Sequence, residues 1–242
     1  MRRLFFLPLL FSSQLFAAEP APAPGAPSLA ITPAERFKEG WWKDRFESRK
    51  PLVAAGDQQL VFIGDSITQG WEGAGKEVWE KFYGPRKPLN LGYSGDRTEH
   101  VIWRLTHGEL TDLKPKLFVI MIGTNNTGHR QDPAEQTADG VKRIIELLQI
   151  NSPASKILLL SVFPRDEKPD GPLRQLNNKV NAIIQGYADG STIQWLDLTS
   201  VFLTPDGILP KETMPDFLHP QAKGYEMWAE AMEPKIKAMM GE

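Results

Sequence analysis

Residues 61–70 read Val-Phe-Ile-Gly-Asp-Ser-Ile-Thr-Gln-Gly, a short apolar run followed by a turn and the start of a helical pattern. The pattern predicts a strand that ends near Ile63 and a serine, Ser66, at the start of the next helix. A hydroxyl at such a turn lies at the carboxyl edge of a sheet, beside helix N–H groups that stabilise negative charge. Ser66 is therefore a candidate nucleophile for acyl transfer, although a serine in a Gly-Asp-Ser turn more often only caps a helix.

Apolar runs alternate with longer amphipathic segments along the rest of the chain, which is typical of strands and helices around a parallel sheet. The predicted strands, rich in Ile, Val, Leu and Phe as doubly covered strands should be, are Leu60–Ile63, Pro88–Leu91, Leu117–Ile122, Ile157–Val162 and Thr192–Leu196. The predicted helices are Pro33–Lys50, Lys76–Phe82, Arg97–Gly108, Pro133–Gln149, Leu173–Tyr187 and Gln221–Met239. The predicted fold class is α/β, a three-layer α/β/α sandwich with a central, mainly parallel five-stranded sheet.

The composition indicates one globular domain and excludes some partners. The chain has 242 residues, of which 41% are hydrophobic and 24% charged, enough for one sizeable core. Its net charge is -2 and it has no long basic run, so no nucleic acid partner is expected. It has no cysteine and no His, Asp or Glu cluster with metal-ligand spacing, so we expect no disulfide, no metal and no other cofactor.

Two segments are predicted to precede the domain. A pair of arginines followed by an apolar stretch indicates a signal peptide at residues 1–18, with cleavage near Ala17/Ala18, and a secreted or periplasmic protein. The Pro/Ala-rich residues 19–32 are predicted to form a linker, and residues 33–242 a single domain with an N-terminal helical extension. Since the apolar stretch is too short to span a bilayer comfortably, no stable membrane anchor is expected.

Polar motifs follow predicted strands or precede the last helix. They are Gly64-Asp65-Ser66, Gly92-Tyr93-Ser94-Gly95-Asp96, Gly123-Thr124-Asn125-Asn126 and Asp216-Phe217-Leu218-His219-Pro220. Because ligands of such folds bind beyond the carboxyl ends of the strands, we expect the four motifs to meet at one edge of the sheet.

The last motif offers the groups that a serine nucleophile needs. His219 can accept the Ser66 proton near neutral pH, and Asp216, three residues earlier, can hold the imidazole in the required tautomer. Taken singly, His219 could equally be a helix-flanking histidine and Asp216 a surface acid.

Three donors are candidates for an oxyanion hole. They are the backbone N–H of Ser66, the backbone N–H of Gly95 and the side-chain amide of Asn125. The alternative for Gly95 and Asn125 is an ordinary turn role, since both residue types tolerate left-handed backbone conformations.

Several aromatic residues stand close to these motifs in sequence. Trp71, Tyr93 and Phe217 could line a small pocket or stack against a sugar, and packing in the core is the alternative. Trp41 and Trp42 are expected to pack on the domain, with a place beside the pocket as the alternative.

The four motifs resemble the conserved blocks of the SGNH/GDSL hydrolase superfamily and occur in the same order. Further similarity to the platelet-activating-factor acetylhydrolase Ib catalytic-subunit branch lies in Gly-Asp-Ser-Ile-Thr (64–68), Asn-Leu-Gly-Tyr-Ser-Gly-Asp (90–96), His-Val-Ile-Trp-Arg-Leu (100–105) and Ile-Gly-Thr-Asn-Asn (122–126). The resemblance implies the flavodoxin-like SGNH hydrolase fold, with Ser66 as nucleophile, His219 as base and Asp216 as its orienting group. It also implies an oxyanion hole formed by Ser66, Gly95 and Asn125.

The predicted function is a secreted serine esterase that hydrolyses short acyl esters, acetyl above all, on small-molecule or glycan substrates. The absence of a long apolar insertion between the motifs favours short acyl groups. A lipase or lysophospholipase, a thioesterase and a non-catalytic glycan-binding module of the same fold are the alternatives. A platelet-activating-factor substrate does not follow from the motifs.

Overall fold

In this computed structural model, which describes residues 28–242, five strands form one all-parallel sheet. They are β1 (Leu60–Gly64), β2 (Pro88–Gly92), β3 (Leu117–Met121), β4 (Lys156–Leu160) and β5 (Ile193–Leu196). The order is β2-β1-β3-β4-β5, with β1 paired to both β2 and β3. The chain therefore winds in opposite directions from β1, and a crevice opens where the carboxyl ends of β1 and β3 diverge.

Seven α-helices accompany the sheet in the described part of the chain. They are α1 (Gly40–Ala55), α2 (Ser66–Gln69), α3 (Lys76–Tyr83), α4 (Thr98–Arg104), α5 (Ala134–Asn151), α6 (Pro172–Ile184) and α7 (Ala222–Met240). Helices α4, α5 and α6 contribute to the core on one face of the sheet, and α3 and α7 to the core on the other. The predicted three-layer α/β/α class is thereby confirmed.

The central strands β1 and β3 are apolar throughout because successive side chains enter different cores. In β1, Val61 and Ile63 pack with α4, α5 and α6, whereas Leu60 and Phe62 pack with α3 and α7. All four are at most 1% exposed. A strand covered on both faces has no solvent side, which explains the absence of alternating polar residues.

The predicted helix from Pro33 to Lys50 is misplaced. Helix α1 begins at Gly40 and ends at Ala55, followed by Gly56 in the left-handed conformation with φ +63. Upstream, the backbone N–H of Ala34 donates to Glu99 O and the Arg36 guanidinium to Ser94 O at 2.7 Å. These contacts with distant parts of the chain hold the segment in a non-helical course that local spacing does not reveal.

The N-terminal segments were predicted as a signal peptide, residues 1–18, and a linker, residues 19–32. The first lies outside the described residues. Within the second, Leu29–Ile31 forms a short 3₁₀ helix, and Ala30 is buried and accepts a hydrogen bond from the Thr98 hydroxyl at 2.8 Å. The end of the predicted linker thus packs against the domain.

Across residues 28–242, no helix combines the length and the apolar character required to cross a bilayer.

Candidate active site

A crevice of about 1180 Å³ opens at the carboxyl edge of the sheet. Ser66, Gly95, Asn125 and His219 all line it, and they come from the loops after β1, β2 and β3 and the loop before α7. Asp216 lies behind His219 and contacts its imidazole. The structure therefore brings together the five residues that the sequence selected for catalysis and for the oxyanion hole.

Most of the described residues that line the crevice have polar side chains. Apart from glycine, the apolar side chains among them are those of Ala34, Trp41 and Leu218. Among the described residues, no group of three or more His, Cys, Asp or Glu side chains is arranged to hold a metal ion.

Ser66 is the first residue of α2, and the residue before it caps that helix. The Asp65 side chain accepts a hydrogen bond from the Ile67 N–H at 3.0 Å, which makes Asp65 the N-cap. The alternative that Ser66 itself caps the helix is therefore wrong, and its hydroxyl is available for another partner.

That partner is His219. The Ser66 hydroxyl lies 2.9 Å from His219 Nε2, and His219 Nδ1 lies 2.6 Å from Asp216 Oδ2. A neutral imidazole that donates Nδ1–H to the carboxylate accepts the serine hydrogen at Nε2. The three side chains thus form one continuous hydrogen-bonded chain.

Backbone geometry holds Asp216 against His219. The second carboxylate oxygen, Oδ1, accepts the backbone N–H of His219 at 2.7 Å and that of Leu218 at 3.1 Å. Phe217, which lies between Asp216 and Leu218 in the chain, has φ +57, a left-handed conformation that bulky residues seldom adopt. Such strain persists where surrounding contacts enforce it, and it is concentrated at functional sites.

The same contacts control the ionisation of Asp216. Partial burial alone would raise the pKa of Asp216, but hydrogen bonds from the side chain and backbone of His219 lower it to about 2. Asp216 is therefore an anion at neutral pH and stabilises positive charge on His219.

Asp65 lies in the opposite environment, although it is adjacent to Ser66. It is fully buried, and burial raises the pKa of Asp65 to about 7 despite the hydrogen bond from Ile67. Its Oδ2 has no hydrogen-bond partner among the described residues. The pKa values of the two carboxyl groups therefore move in opposite directions, because Asp216 is partly solvated and hydrogen-bonded whereas Asp65 is desolvated.

The oxyanion candidates are held by a turn after β2. Gly95 has φ +73, and a Cβ at this position would lie 3.1 Å from the Arg36 guanidinium, so both conformation and space favour glycine. Asn125 is 3% exposed, and its Nδ2 donates to the Asp96 carbonyl at 3.0 Å. An amide nitrogen carries two hydrogens, so this contact orients Asn125 and leaves one donor.

Beneath this turn, Asp96 forms a buried ion-pair cluster. Its carboxylate accepts hydrogen bonds from Arg36 at 2.8 Å, the Trp42 indole at 2.7 Å and Arg104 at 2.9 Å. Asp96 and Arg104 are both fully buried. No role for Asp96 was predicted from its motif, because two of its partners, Arg36 and Trp42, lie 60 and 54 residues away in the chain.

The three aromatic residues predicted for the pocket do not line it. Trp71 is fully buried and packs against Tyr225 and Trp228, and Tyr93 is fully buried beneath the Arg104 guanidinium. Phe217 is half-buried and packs against the core between the sheet and α7. The packing alternative is correct for Trp71 and Tyr93, since neighbouring helices cover both rings.

Residues 34–41 form one side of the crevice, although no sequence motif placed them there. We call residues 34–41 the N-terminal wall, since the lining includes Ala34, Glu35, Arg36, Lys38, Glu39 and Trp41. His100 and His129 also line the crevice. The only local signal in this segment was a helical pattern, which predicted a helix from Pro33, whereas residues 33–39 are not helical.

The chain is similar to known proteins in sequence and in fold. The family model of the GDSL-like lipase/acylhydrolase family matches residues 62–227. Platelet-activating factor acetylhydrolase IB subunit alpha2 of Rattus norvegicus is 36% identical over 187 residues, 77% of this chain and 79% of the relative. A GDSL-like lipase from Bacteroides thetaiotaomicron superposes with a TM-score of 0.66 at 23% identity, covering 80% of this chain and 97% of that one. Est24, a carbohydrate acetylesterase from Sinorhizobium meliloti, superposes with a TM-score of 0.58 at 19% identity, covering 75% and 99%.

The predicted secreted or periplasmic location is wrong. The relatives that match over three quarters of the chain are platelet-activating factor acetylhydrolase IB subunits, which are intracellular enzymes. The signal peptide expected at residues 1–18, with cleavage near Ala17/Ala18, falls outside the described residues and lends the prediction no support. Arginines before an apolar stretch are a compositional pattern, and composition alone does not determine export.

Replacing Ser66 tests the nucleophile. We expect Ser66→Ala to lower kcat for p-nitrophenyl acetate by at least about 10⁴-fold, because the remaining groups cannot form an acyl-enzyme. The variant should also lose covalent labelling by a fluorophosphonate. Ser48→Ala, at an exposed serine on α1, is the matched control and should leave both unchanged. Wild-type turnover by a folded Ser66→Ala variant would exclude Ser66 as nucleophile.

Replacing Asn125 tests the oxyanion hole. Asn125→Ala should lower kcat by about 10²–10³-fold, or ~2.7–4 kcal/mol, with little change in KM, since the donor acts mainly in the transition state. Steady-state kinetics and a thermal melt measure catalysis and folding separately. Asn151→Ala, at the end of α5, is the control. An unchanged kcat would remove Asn125 from the hole.

The buried Asp65 predicts a pH-dependent stability. Its pKa rises from the ordinary 3.8 to about 7 on folding, so between these values the folded state binds more protons than the unfolded state. The free energy of unfolding should therefore fall as pH rises from about 4 to 7. Urea denaturation at several pH values should show a flatter dependence for Asp65→Asn than for wild type. Asp44→Asn, at an exposed acid on α1, should retain the wild-type dependence, and an equal slope in Asp65→Asn would contradict the assignment.

Proposed function

We propose that this chain, which belongs to the GDSL-like lipase/acylhydrolase family, is a serine esterase that removes acetyl and other short acyl groups from alcohol oxygens. The membership confirms the resemblance drawn from the sequence motifs and makes the chain a carboxylic ester hydrolase. The observation that carries the proposed mechanism is the hydrogen-bonded chain from Ser66 through His219 to Asp216.

In the proposed first step, Ser66 Oγ attacks the ester carbonyl carbon while His219 Nε2 accepts the hydroxyl proton. The 2.9 Å separation of these two atoms is suited to that transfer. The imidazolium that forms is stabilised by the Asp216 carboxylate, 2.6 Å from Nδ1. The nucleophile is thereby activated without a metal or an organic cofactor in this mechanism.

In the tetrahedral intermediate, the former carbonyl oxygen carries the negative charge. The backbone N–H groups of Ser66 and Gly95 and the Asn125 amide are its proposed donors. His219 then returns the proton to the leaving alcohol, and the acyl group remains on Ser66. Water, activated by the same imidazole, attacks this acyl-enzyme and releases the carboxylic acid.

The chemistry of the crevice supports a short acyl group. Most of the other lining residues have charged or polar side chains, and the apolar side chains are those of Ala34, Trp41 and Leu218. Each methylene of a long acyl chain gains about 0.8 kcal/mol only when it is transferred from water to an apolar surface. With only three apolar side chains among the described lining residues, the crevice offers a long acyl chain no continuous apolar side-chain surface.

The same lining supports a polar alcohol portion, and we propose an O-acetylated carbohydrate. The fold itself accommodates such substrates, since Est24 is a carbohydrate acetylesterase. Three alternatives remain. Substrate preference distinguishes this proposal from a lipase or lysophospholipase and from a thioesterase, and ester turnover distinguishes it from a non-catalytic glycan-binding module.

A series of acyl chain lengths tests the proposal. We expect kcat/KM for p-nitrophenyl esters to be highest for acetate and to fall through butyrate to octanoate, because longer chains find few apolar side chains in the crevice. Acetate release from a panel of acetylated glycans, with Ser66→Ala as the baseline, identifies the alcohol portion.

Other outcomes select the alternatives. A rate that climbs toward octanoate would indicate a lipase or lysophospholipase, and a preference for acetyl thioesters would indicate a thioesterase. Glycan binding without ester turnover or fluorophosphonate labelling would indicate a binding module.

A further inference from the structure

The N-terminal wall lies outside the part of the chain that carries the family's catalytic groups. The family model begins at residue 62, whereas the wall comprises residues 34–41. Ser66, Asn125 and His219, on the other side of the same crevice, all belong to the matched region. The wall therefore faces the reacting groups without supplying any of them, which is the position of a surface that contacts the rest of the substrate.

Arg36 fixes the wall relative to the oxyanion turn. Its guanidinium donates to Ser94 O at 2.7 Å and to Asp96 Oδ1 at 2.8 Å, the residues on either side of Gly95. It also donates to both carboxylate oxygens of Glu39, at 2.9 and 2.7 Å. Through Arg36, Glu39 is held at a defined place relative to Gly95.

Trp41 is an exposed aromatic ring at the end of this wall. It is 42% exposed, whereas the adjacent Trp42 is fully buried. The Trp41 indole N–H donates to Glu39 at 3.2 Å, and the Arg36 guanidinium lies 5.4 Å from the ring centre. Both contacts restrict the ring, so a large apolar surface is presented to the crevice in a fixed orientation.

We propose that Trp41 and Glu39 form a subsite for the sugar ring of the alcohol portion, a proposal that rests on the esterase function above. A pyranose has apolar C–H faces that pack on an aromatic ring and hydroxyl groups at its rim that need acceptors. Trp41 supplies the ring, and the Glu39 carboxylate, 45% exposed at its side chain, retains acceptor sites beyond those used by Arg36 and Trp41.

The charges along the wall favour a neutral ligand. Arg36 is paired with Glu39 and Asp96, and Arg97, which also lines the crevice, is paired with Glu99 at 2.7 Å. Lys38 is a further cation of the wall, but the two bases of residues 34–41, Arg36 and Lys38, are matched by two acids, Glu35 and Glu39. The wall therefore has no net charge to attract an anionic alcohol portion such as a phosphate ester. A neutral ring with hydroxyl groups satisfies both the aromatic surface and the exposed acceptor.

The test compares two acetyl esters that differ in the alcohol. For methyl 2-O-acetyl-xylopyranoside, which keeps two free hydroxyl groups, Trp41→Ala should raise KM about tenfold, equivalent to ~1.4 kcal/mol, with kcat nearly unchanged, as expected for lost uniform binding. For ethyl acetate, which cannot stack on the ring, kcat/KM should stay within about twofold of wild type, and Trp41→Phe should restore most of the sugar-ester affinity. Leu52→Ala, at an equally exposed apolar residue on α1 outside the crevice, is the matched control and should change neither substrate.

Binding measured without turnover separates this proposal from the esterase function. In a Ser66→Ala background, calorimetric titration with xylotriose should give a Kd that Trp41→Ala raises about tenfold. Equal losses for the sugar ester and for ethyl acetate, or no loss for either, would overturn the subsite and leave the esterase function intact. If Ser66→Ala retains turnover, the esterase mechanism fails, and the titration still decides whether Trp41 binds sugar.

Discussion

The buried carboxylate of Asp96 is the interaction on which the geometry of the site depends. Arg36 from the N-terminal wall, Trp42 from α1 and Arg104 from α4 all donate to it. Its backbone carbonyl accepts the Asn125 amide from the loop after β3. A buried charge left without a partner costs several kcal/mol, so these elements are constrained to converge on one point. Gly95, the residue before Asp96, is thereby placed beside Asn125 at the crevice.

A second constraint is the contrast between solvated and desolvated carboxylates around Ser66. Asp216 lies at the exposed side of His219, accepts three hydrogen bonds from the residues that follow it and remains an anion. Asp65 lies behind the nucleophile in the core, where burial raises its pKa to about 7. Two acids within one site thus make different contacts: Asp216 binds the imidazole of His219, and Asp65 caps α2.

The strands and the residues that meet at the crevice were predictable because their signals are local. Continuous apolar runs mark strands that are covered on both faces, and four polar motifs that follow one another in family order point to Ser66, Gly95, Asn125, Asp216 and His219, whose catalytic roles remain a proposal. The start of α1 was not predictable, since the helical spacing from Pro33 competes with contacts that Arg36 makes about sixty residues away along the chain. The prediction that Trp71, Tyr93 and Phe217 line a pocket was wrong for a related reason, because the exposure of a ring depends on which helices pack over it.

By itself, the sequence determined the fold class, the order of its elements and the residue types that meet at the carboxyl edge of the sheet. Only the tertiary structure decided which aromatic ring faces the crevice and which residue caps α2. Trp71 and Tyr93 stand next to catalytic motifs but are covered by α7 and α1, whereas Trp41, in a segment without a motif, remains exposed. The physical reason is that strand patterns and turns are properties of neighbouring residues, whereas burial results from contacts between elements that are distant in the chain.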